Sequence, residues 1–252
     1  YGCTHHLTLK ELGYNSSNDH EEIVERLENK DIGWAYADQS MFNPKLHNLM
    51  SLRKQIIKRP VITTVEVLVK PVSSKNDMFF TGFVHKPYPP IYLELSRNAQ
   101  FNSATVIRGT EGGIIPSLRQ TGKVHFYHSA GEQDDSYDVT PDELGIVQSS
   151  RAVDIPEEIT RKNTKDKIES KVDAADIAKE TIKSGMSALS GNDGPMLSCI
   201  QLGAAIVLQR ATGDDLDNCS KEVLRVLKSG AALKRMKSCL LYTSDAADET
   251  VS

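Results

Sequence analysis

Met78-Phe79-Phe80-Thr81-Gly82-Phe83-Val84, then residues 88–100, then Ser103-Ala104-Thr105-Val106-Ile107 read together as strand, helix and strand. The first strand is a nearly continuous apolar run, which is the pattern of a strand covered on both faces. Two parallel strands need a crossover between them, and the helix supplies one, right-handed by rule. The unit predicts an α/β fold with a mainly parallel sheet flanked by helices. Residues just past the carboxyl ends of parallel strands line the ligand crevice of such folds. That singles out His85 and Lys86 after the first strand, and Arg108, Gly109 and Thr110 after the second. Both loops are expected to face one cleft, although a loop histidine such as His85 is also satisfied by local partners.

Working outward, Lys123 to His128 reads as a further short strand. Thr140-Pro141-Asp142-Glu143 has the form of a helix start, with a threonine cap, proline at the first position and glutamate three residues on. Residues 151–171 are polar and mixed in charge, as a linker is. The remainder reads as helices over 173–189, 195–212 and 216–236. Upstream, residues 19–30 form an amphipathic helix pattern led by acids and closed by Lys30. Residues 44–58 predict a second helix with Pro44 in its first turn and Leu46, Leu49, Met50 and Leu52 as its apolar set. Val61 to Val69 is β-branched and apolar. There is no internal repeat.

The 252 residues suffice for one large domain, or one domain with a small helical companion. With 39% hydrophobic and 25% charged residues, the composition is that of an ordinary globular protein. A net charge of −4 gives no global attraction to nucleic acid, so any such affinity must be local. No apolar run approaches the ~20 residues of a bilayer span, and no membrane partner is expected. No signal peptide is recognisable. Cys3, Cys199, Cys219 and Cys239 form no C-x-x-C pair, and a reduced cytoplasmic setting fits them. The chain begins at Tyr1, and residues 238–252 resemble translated sequencing-adapter sequence, so that tail is set apart from the fold.

Three segments carry a family resemblance. Phe42-Asn43-Pro44 and the helical stretch that follows through Arg53, Lys54 and Arg59 resemble a signature of anthranilate phosphoribosyltransferases. Val106-Ile107-Arg108-Gly109-Thr110-Glu111-Gly112-Gly113 resembles their strand and the turn after it. Gly194-Pro195 through Arg210, and Leu224 to Leu233, resemble their closing helices. The chain is thereby similar to glycosyltransferase family 3, a nucleoside phosphorylase/phosphoribosyltransferase-like group that transfers phosphoribosyl or ribosyl groups. The resemblance implies a small helical domain on an α/β domain: 1–16 as a partial α/β segment, 17–58 helical, 59–237 α/β, and 238–252 as the tail. It implies an N-terminally truncated fragment, since the family's phosphate-cradling glycine loop would lie upstream. It also implies homodimers through the helical domain in the full-length protein.

The same resemblance assigns roles. Arg53 takes the place of an arginine that holds a carboxylate, and guanidinium suits carboxylate or phosphate through two parallel hydrogen bonds; the alternative is a surface arginine. Asn43 replaces a usual histidine. The family's magnesium-binding Asp-Glu pair aligns with Ile114-Ile115, which have no ligating oxygen. Glu111 alone is a poor substitute, and reads equally as a turn acid. Catalysis at a magnesium site is therefore not expected, no cofactor is expected, and a degenerate branch linked to nucleic-acid binding, with Gly-Thr-Glu-Gly at this turn, is the nearer match. Residues 45–75 carry a local net charge of +6, compatible with nucleic-acid phosphates or simply with a solvated face. The expected phosphate-binding set is Arg53, Lys54, Arg59, His85, Lys86, Arg108, Gly109, Thr110 and Glu111. Its ligand would be nucleic acid or a phosphoribosyl pyrophosphate-like molecule, and the alternative is an active phosphoribosyltransferase.

Overall fold

The computed structural model describes residues 3–15, 19–56, 60–161 and 173–249. One sheet runs in the order β1 (Met78–Phe83), β2 (Ser103–Arg108), β3 (Gly122–Tyr127), β4 (Asp135–Val139). β1 and β2 are parallel, with Met78 opposite Ser103 and Phe83 opposite Arg108, and the helix Tyr88–Asn98 crosses between them. β2 with β3, and β3 with β4, are antiparallel. The α/β class stands, but the expected predominance of parallel pairing does not hold among the described residues. Segments 109–121 and 128–134 contain no crossover helix. Without one the chain can only turn back as a meander. β4 carries two acids, and its Asp138 stays at the surface, 3.3 Å from Lys123 Nζ.

β2 explains why the sheet holds together. Ala104 and Val106 face a cluster with Phe79, Phe83, Leu93 and Tyr127, while Ile107 faces Leu118, Val124, Val139, Leu202 and Ile206. The alternation has the period of a strand, and both faces are covered by apolar residues. Ala104, Val106 and Ile107 are at most 1% exposed. Complete burial of a valine or isoleucine contributes roughly 1.5–3 kcal/mol.

The helices upstream are α1 (His5–Glu11), α2 (His20–Glu28), α3 (Gln39–Phe42), α4 (Pro44–His47), α5 (Met50–Gln55) and α6 (Ile62–Val65); the crossover Tyr88–Asn98 is α7. Asp19 caps α2 through Glu22 N at 3.0 Å. The single helix expected over 44–58 is instead two short ones. Asn43 Oδ1 caps α4 at Leu46 N, 3.1 Å, and Leu49 N then reaches Leu46 O at 3.1 Å, a tightened closing turn. Leu49, Leu52 and Ile56 remain exposed, so little packing supports a longer helix. Val61 to Val69 forms α6 and a 3-10 turn, and Pro141–Leu144 is a 3-10 turn closed by Gly145 at φ 71° in place of the helix expected there.

Downstream lie α8 (Glu157–Arg161), inside the expected linker, then α9 (Ala174–Leu189), α10 (Pro195–Thr212), α11 (Leu216–Lys228) and α12 (Ala231–Glu249). The helix expected over 216–236 breaks at Gly230, φ 74°. The segment set apart after 238 begins inside the fold. Cys239 is fully buried with Tyr14 and Ile32. Tyr242 donates to Glu25 at 2.8 Å. The buried Arg26 pairs with Glu22 and lies 4.9 Å from the Tyr14 ring and 5.4 Å from that of Tyr242.

The sheet docks on α10 partly through Tyr137, whose hydroxyl donates to Gln209 Oε1 at 2.5 Å. Burial pushes this hydroxyl up to about 12 from 10.0, against the opposing charge of Arg210. The folded state therefore holds the proton more tightly than the unfolded state. Its contribution to stability is complete below pH ~10 and is lost as pH rises through about 12. Denaturant midpoints taken from pH 8 to 12 should fall on the alkaline side, and fall less steeply in Tyr137→Phe.

Candidate functional site

Beyond β2 the chain folds back on itself. Gly109 N donates to Ile107 O at 2.8 Å, Thr110 N to Ile115 O at 2.9 Å, and Gly113 N to Thr110 O at 3.0 Å. Thr110–Gly112 is a 3-10 turn, and Gly112 has φ 83°. The Gly113 carbonyl lies so close to Gly82 and Gly109 that a Cβ on either would overlap it. Only glycine permits that approach. Ile115 then packs against the core cluster of Ile107, Leu118 and Leu202. A Cβ on Gly203 of α10 would meet its Cγ1 at 3.2 Å. Ile114 is 43% exposed.

This turn forms one wall of a small cleft of about 70 Å³, lined by Arg108, Gly109, Thr110, Ser117, Gln120, Thr121, Gly122 and Arg151. Leu118 N donates to Arg151 O at 2.9 Å, and Arg119 Nη1 to Ser149 O at 3.3 Å, so residues 149–151 are tied beside 117–119. Ser117 Oγ accepts from Arg119 N at 3.3 Å and Gln120 N at 3.2 Å. The Thr110 hydroxyl oxygen is buried without a hydrogen-bond partner. A buried polar group left so costs about 1–3 kcal/mol, which a polar ligand would relieve. Two guanidinium groups and three hydroxyls suit an anion.

Of the residues singled out from sequence, Arg108, Gly109 and Thr110 come together here. The N–H of Gly109 is already committed to Ile107, so this glycine serves close approach. His85 and Lys86 are exposed at the same end of the sheet, since Phe83 lies opposite Arg108. They do not line the cleft. The His85 ring sits 6.3 Å from Tyr88. Arg53 is elsewhere and occupied: its Nη1 donates to Glu66 Oε2 at 2.6 Å in a half-buried pair. Lys70 likewise holds Asp77 at 2.8 Å, and that hydrogen bond keeps the Asp77 carboxyl below its usual range. The basic stretch 45–75 is thus partly neutralised by its own fold. Arg59 lies outside the described residues, as do the side chains of Lys54 and Glu111. Sequence reading missed Arg151, Ser117 and Thr121. Arg151 opens what reads as a linker, and no local pattern marks it.

The residues present do not fit the magnesium ion implied by the family resemblance. Ile114 and Ile115 supply no oxygen, and hard cations require several. Among the described residues no three of His, Cys, Asp and Glu come together. No helix among them is long and apolar enough to cross a membrane.

No protein-family profile matches the chain. An uncharacterised protein of Aquifex aeolicus (strain VF5) is 35% identical over 95 residues, 38% of this chain and 30% of that one. The anthranilate phosphoribosyltransferase of the same organism is 22% identical over 227 residues, 90% of this chain and 59% of the enzyme. That of Acidovorax sp. (strain JS42) is 22% identical over 238 residues, covering 93% and 61%. Among solved structures, anthranilate phosphoribosyltransferase from Saccharomyces cerevisiae superposes with TM-score 0.70 at 18% identity, covering 95% of this chain and 62% of that one. The same enzyme in complex with PRPP and Mg gives 0.72 at 15% identity, with the same coverage. The chain has the fold of these transferases and spans only part of their length.

Two substitutions check the geometry. Gly109→Ala should destabilise by about 3 kcal/mol, because the turn must open to admit a methyl group. Gly113→Ala meets nothing nearer than 3.4 Å and should change stability by less than ~0.5 kcal/mol; urea denaturation compares the two. Arg53→Met should cost about 1 kcal/mol by leaving Glu66 unpaired, yet change anion affinity less than twofold by titration calorimetry.

Proposed function

We propose that this is an anthranilate phosphoribosyltransferase-like protein that binds a phosphate-bearing ligand at the carboxyl end of its sheet through arginine, without magnesium-assisted transfer at the turn after β2. One observation carries the reading: Ile115, aligned with a metal-binding acid of the biosynthetic enzymes, is packed against the core beneath the turn. Magnesium catalysis of pyrophosphate departure needs carboxylate oxygens to place the ion on the leaving group. An aliphatic side chain supplies none. Guanidinium groups compensate phosphate charge without a metal, and Arg108 lies exposed at this turn with no acid among the described side chains paired to it.

Nucleic acid is the macromolecular ligand this reading admits, because its backbone presents phosphate repeatedly. Exposed Lys86 and Arg108 at one end of the sheet, with Arg151 lining the same cleft as Arg108, support it. Arg53 and Lys70, by contrast, are held in ion pairs with Glu66 and Asp77. The other reading is an active phosphoribosyltransferase, favoured by the likeness to a transferase solved with PRPP and Mg.

The two readings separate in one set of assays. A fluorescein-labelled DNA duplex should show anisotropy that rises with protein and declines steeply between 50 and 200 mM salt. Anthranilate fluorescence should stay constant when protein is mixed with anthranilate, phosphoribosyl pyrophosphate and magnesium. Magnesium-dependent disappearance of anthranilate would replace the binding reading with the enzymatic one.

A further inference from the structure

We infer that the cleft between Arg108 and Arg151 is a site for one phosphate monoester group, gripped by both guanidinium groups and the Thr110 hydroxyl. The inference rests on the phosphate-binding reading above and gives it an address and a ligand class. Its basis is how the chain disposes of its arginines. Arg26, Arg53, Arg97 and Arg225 each have a carboxylate partner. Arg119 and Arg235 donate to backbone carbonyls. Arg210 lies 3.7 Å over the Phe126 ring and bonds His128. Among the described arginine side chains, Arg108 and Arg151 alone have no such partner, and both line the same cleft.

No described acidic side chain lines that cleft to offset them. Two like charges drawn together repel, and an anion between them turns the repulsion into two attractions. The Thr110 hydroxyl, buried and unpartnered, adds a donor on the same wall. The N–H groups of Gly109, Thr110, Gly112 and Gly113 are all bonded within the turn, so recognition falls to side chains. Guanidinium forks match phosphate oxygens in pairs. A monoester carries close to two negative charges at neutral pH, which balances two arginines; a diester carries one. The cleft's volume of about 70 Å³ suits a single compact group.

The same group occurs on a small sugar phosphate and on the phosphorylated end of a nucleic acid. Titration calorimetry of the whole chain with inorganic phosphate tests the site itself. Ribose 5-phosphate, and oligonucleotides with 5′-phosphate or 5′-hydroxyl ends, then separate the two sources. Phosphate should bind with one-to-one stoichiometry. Its affinity should drop at least tenfold in Arg108→Met or Arg151→Met and about threefold in Thr110→Val. Arg225→Met, which removes a guanidinium from a distant helix, should leave it unchanged. Affinity should also weaken as pH falls from 8 to 5.5 and the phosphate loses a charge. Equal binding by wild type and Arg151→Met, or equal weakening in Arg225→Met, would overturn the site. So would an absence of phosphate binding. Such a failure beside intact salt-sensitive DNA binding leaves the broader reading standing. Arginine-dependent phosphate binding beside magnesium-dependent anthranilate consumption removes the broader reading and leaves the site.

Discussion

The contact between the Gly113 carbonyl and the backbones of Gly82 and Gly109 is the constraint on which the candidate site depends. It joins the carboxyl ends of both parallel strands to one turn, with no side chain between them. Because the approach is backbone to backbone, it leaves no slack for a side chain to adjust. It also commits the N–H groups of the turn to internal partners. A loop that would otherwise offer backbone donors to a ligand is spent on holding its own shape. The described side chains that the turn places at the cleft are Arg108 and Thr110.

Charge is distributed on the same logic. The densest basic stretch of the sequence, residues 45–75, looks like the natural anion surface. Folding brings Glu66 to Arg53 and Asp77 to Lys70, so two of its cations are held in ion pairs. Among the described residues the unpaired guanidinium groups are instead Arg108 and Arg151, far apart in sequence and brought to one cleft where two hydrogen bonds tie segment 149–151 to 117–119. A local charge count sums residues along the chain, whereas a ligand meets the charges left over once the chain has paired its own.

The same distinction explains how far the sequence could be read. The βαβ unit was legible because the apolar run of β1 and the helix and strand that follow it are local patterns. Residues 103–107 were read as a strand, and Ser103–Arg108 forms it. The antiparallel return was not legible, since it follows from the absence of a crossover helix in 109–121. β4 escaped notice because Asp135-Ser136-Tyr137-Asp138-Val139 is an edge strand with polar residues on its open side. Arg108 and Thr110 were found by their place after a strand. Arg151 could not be, because its position is set by Leu118 and Ser149, through contacts that leave no periodic trace.

The aliphatic pair deserves a structural interpretation beside its chemical one. Ile115 does more than lack an oxygen: its side chain packs under the turn, against Gly203 and the core cluster of Ile107 and Leu118. A carboxylate at this position would be drawn out of water into an apolar contact, at a cost that a neighbouring cation would have to offset. Position 115 in this turn is a packing position. An acid placed at 115 would meet apolar surroundings, because the side chain there packs against the core cluster. The geometry of the turn, fixed by its glycines, therefore sets which chemistry this end of the sheet accommodates, and it does so before any ligand arrives.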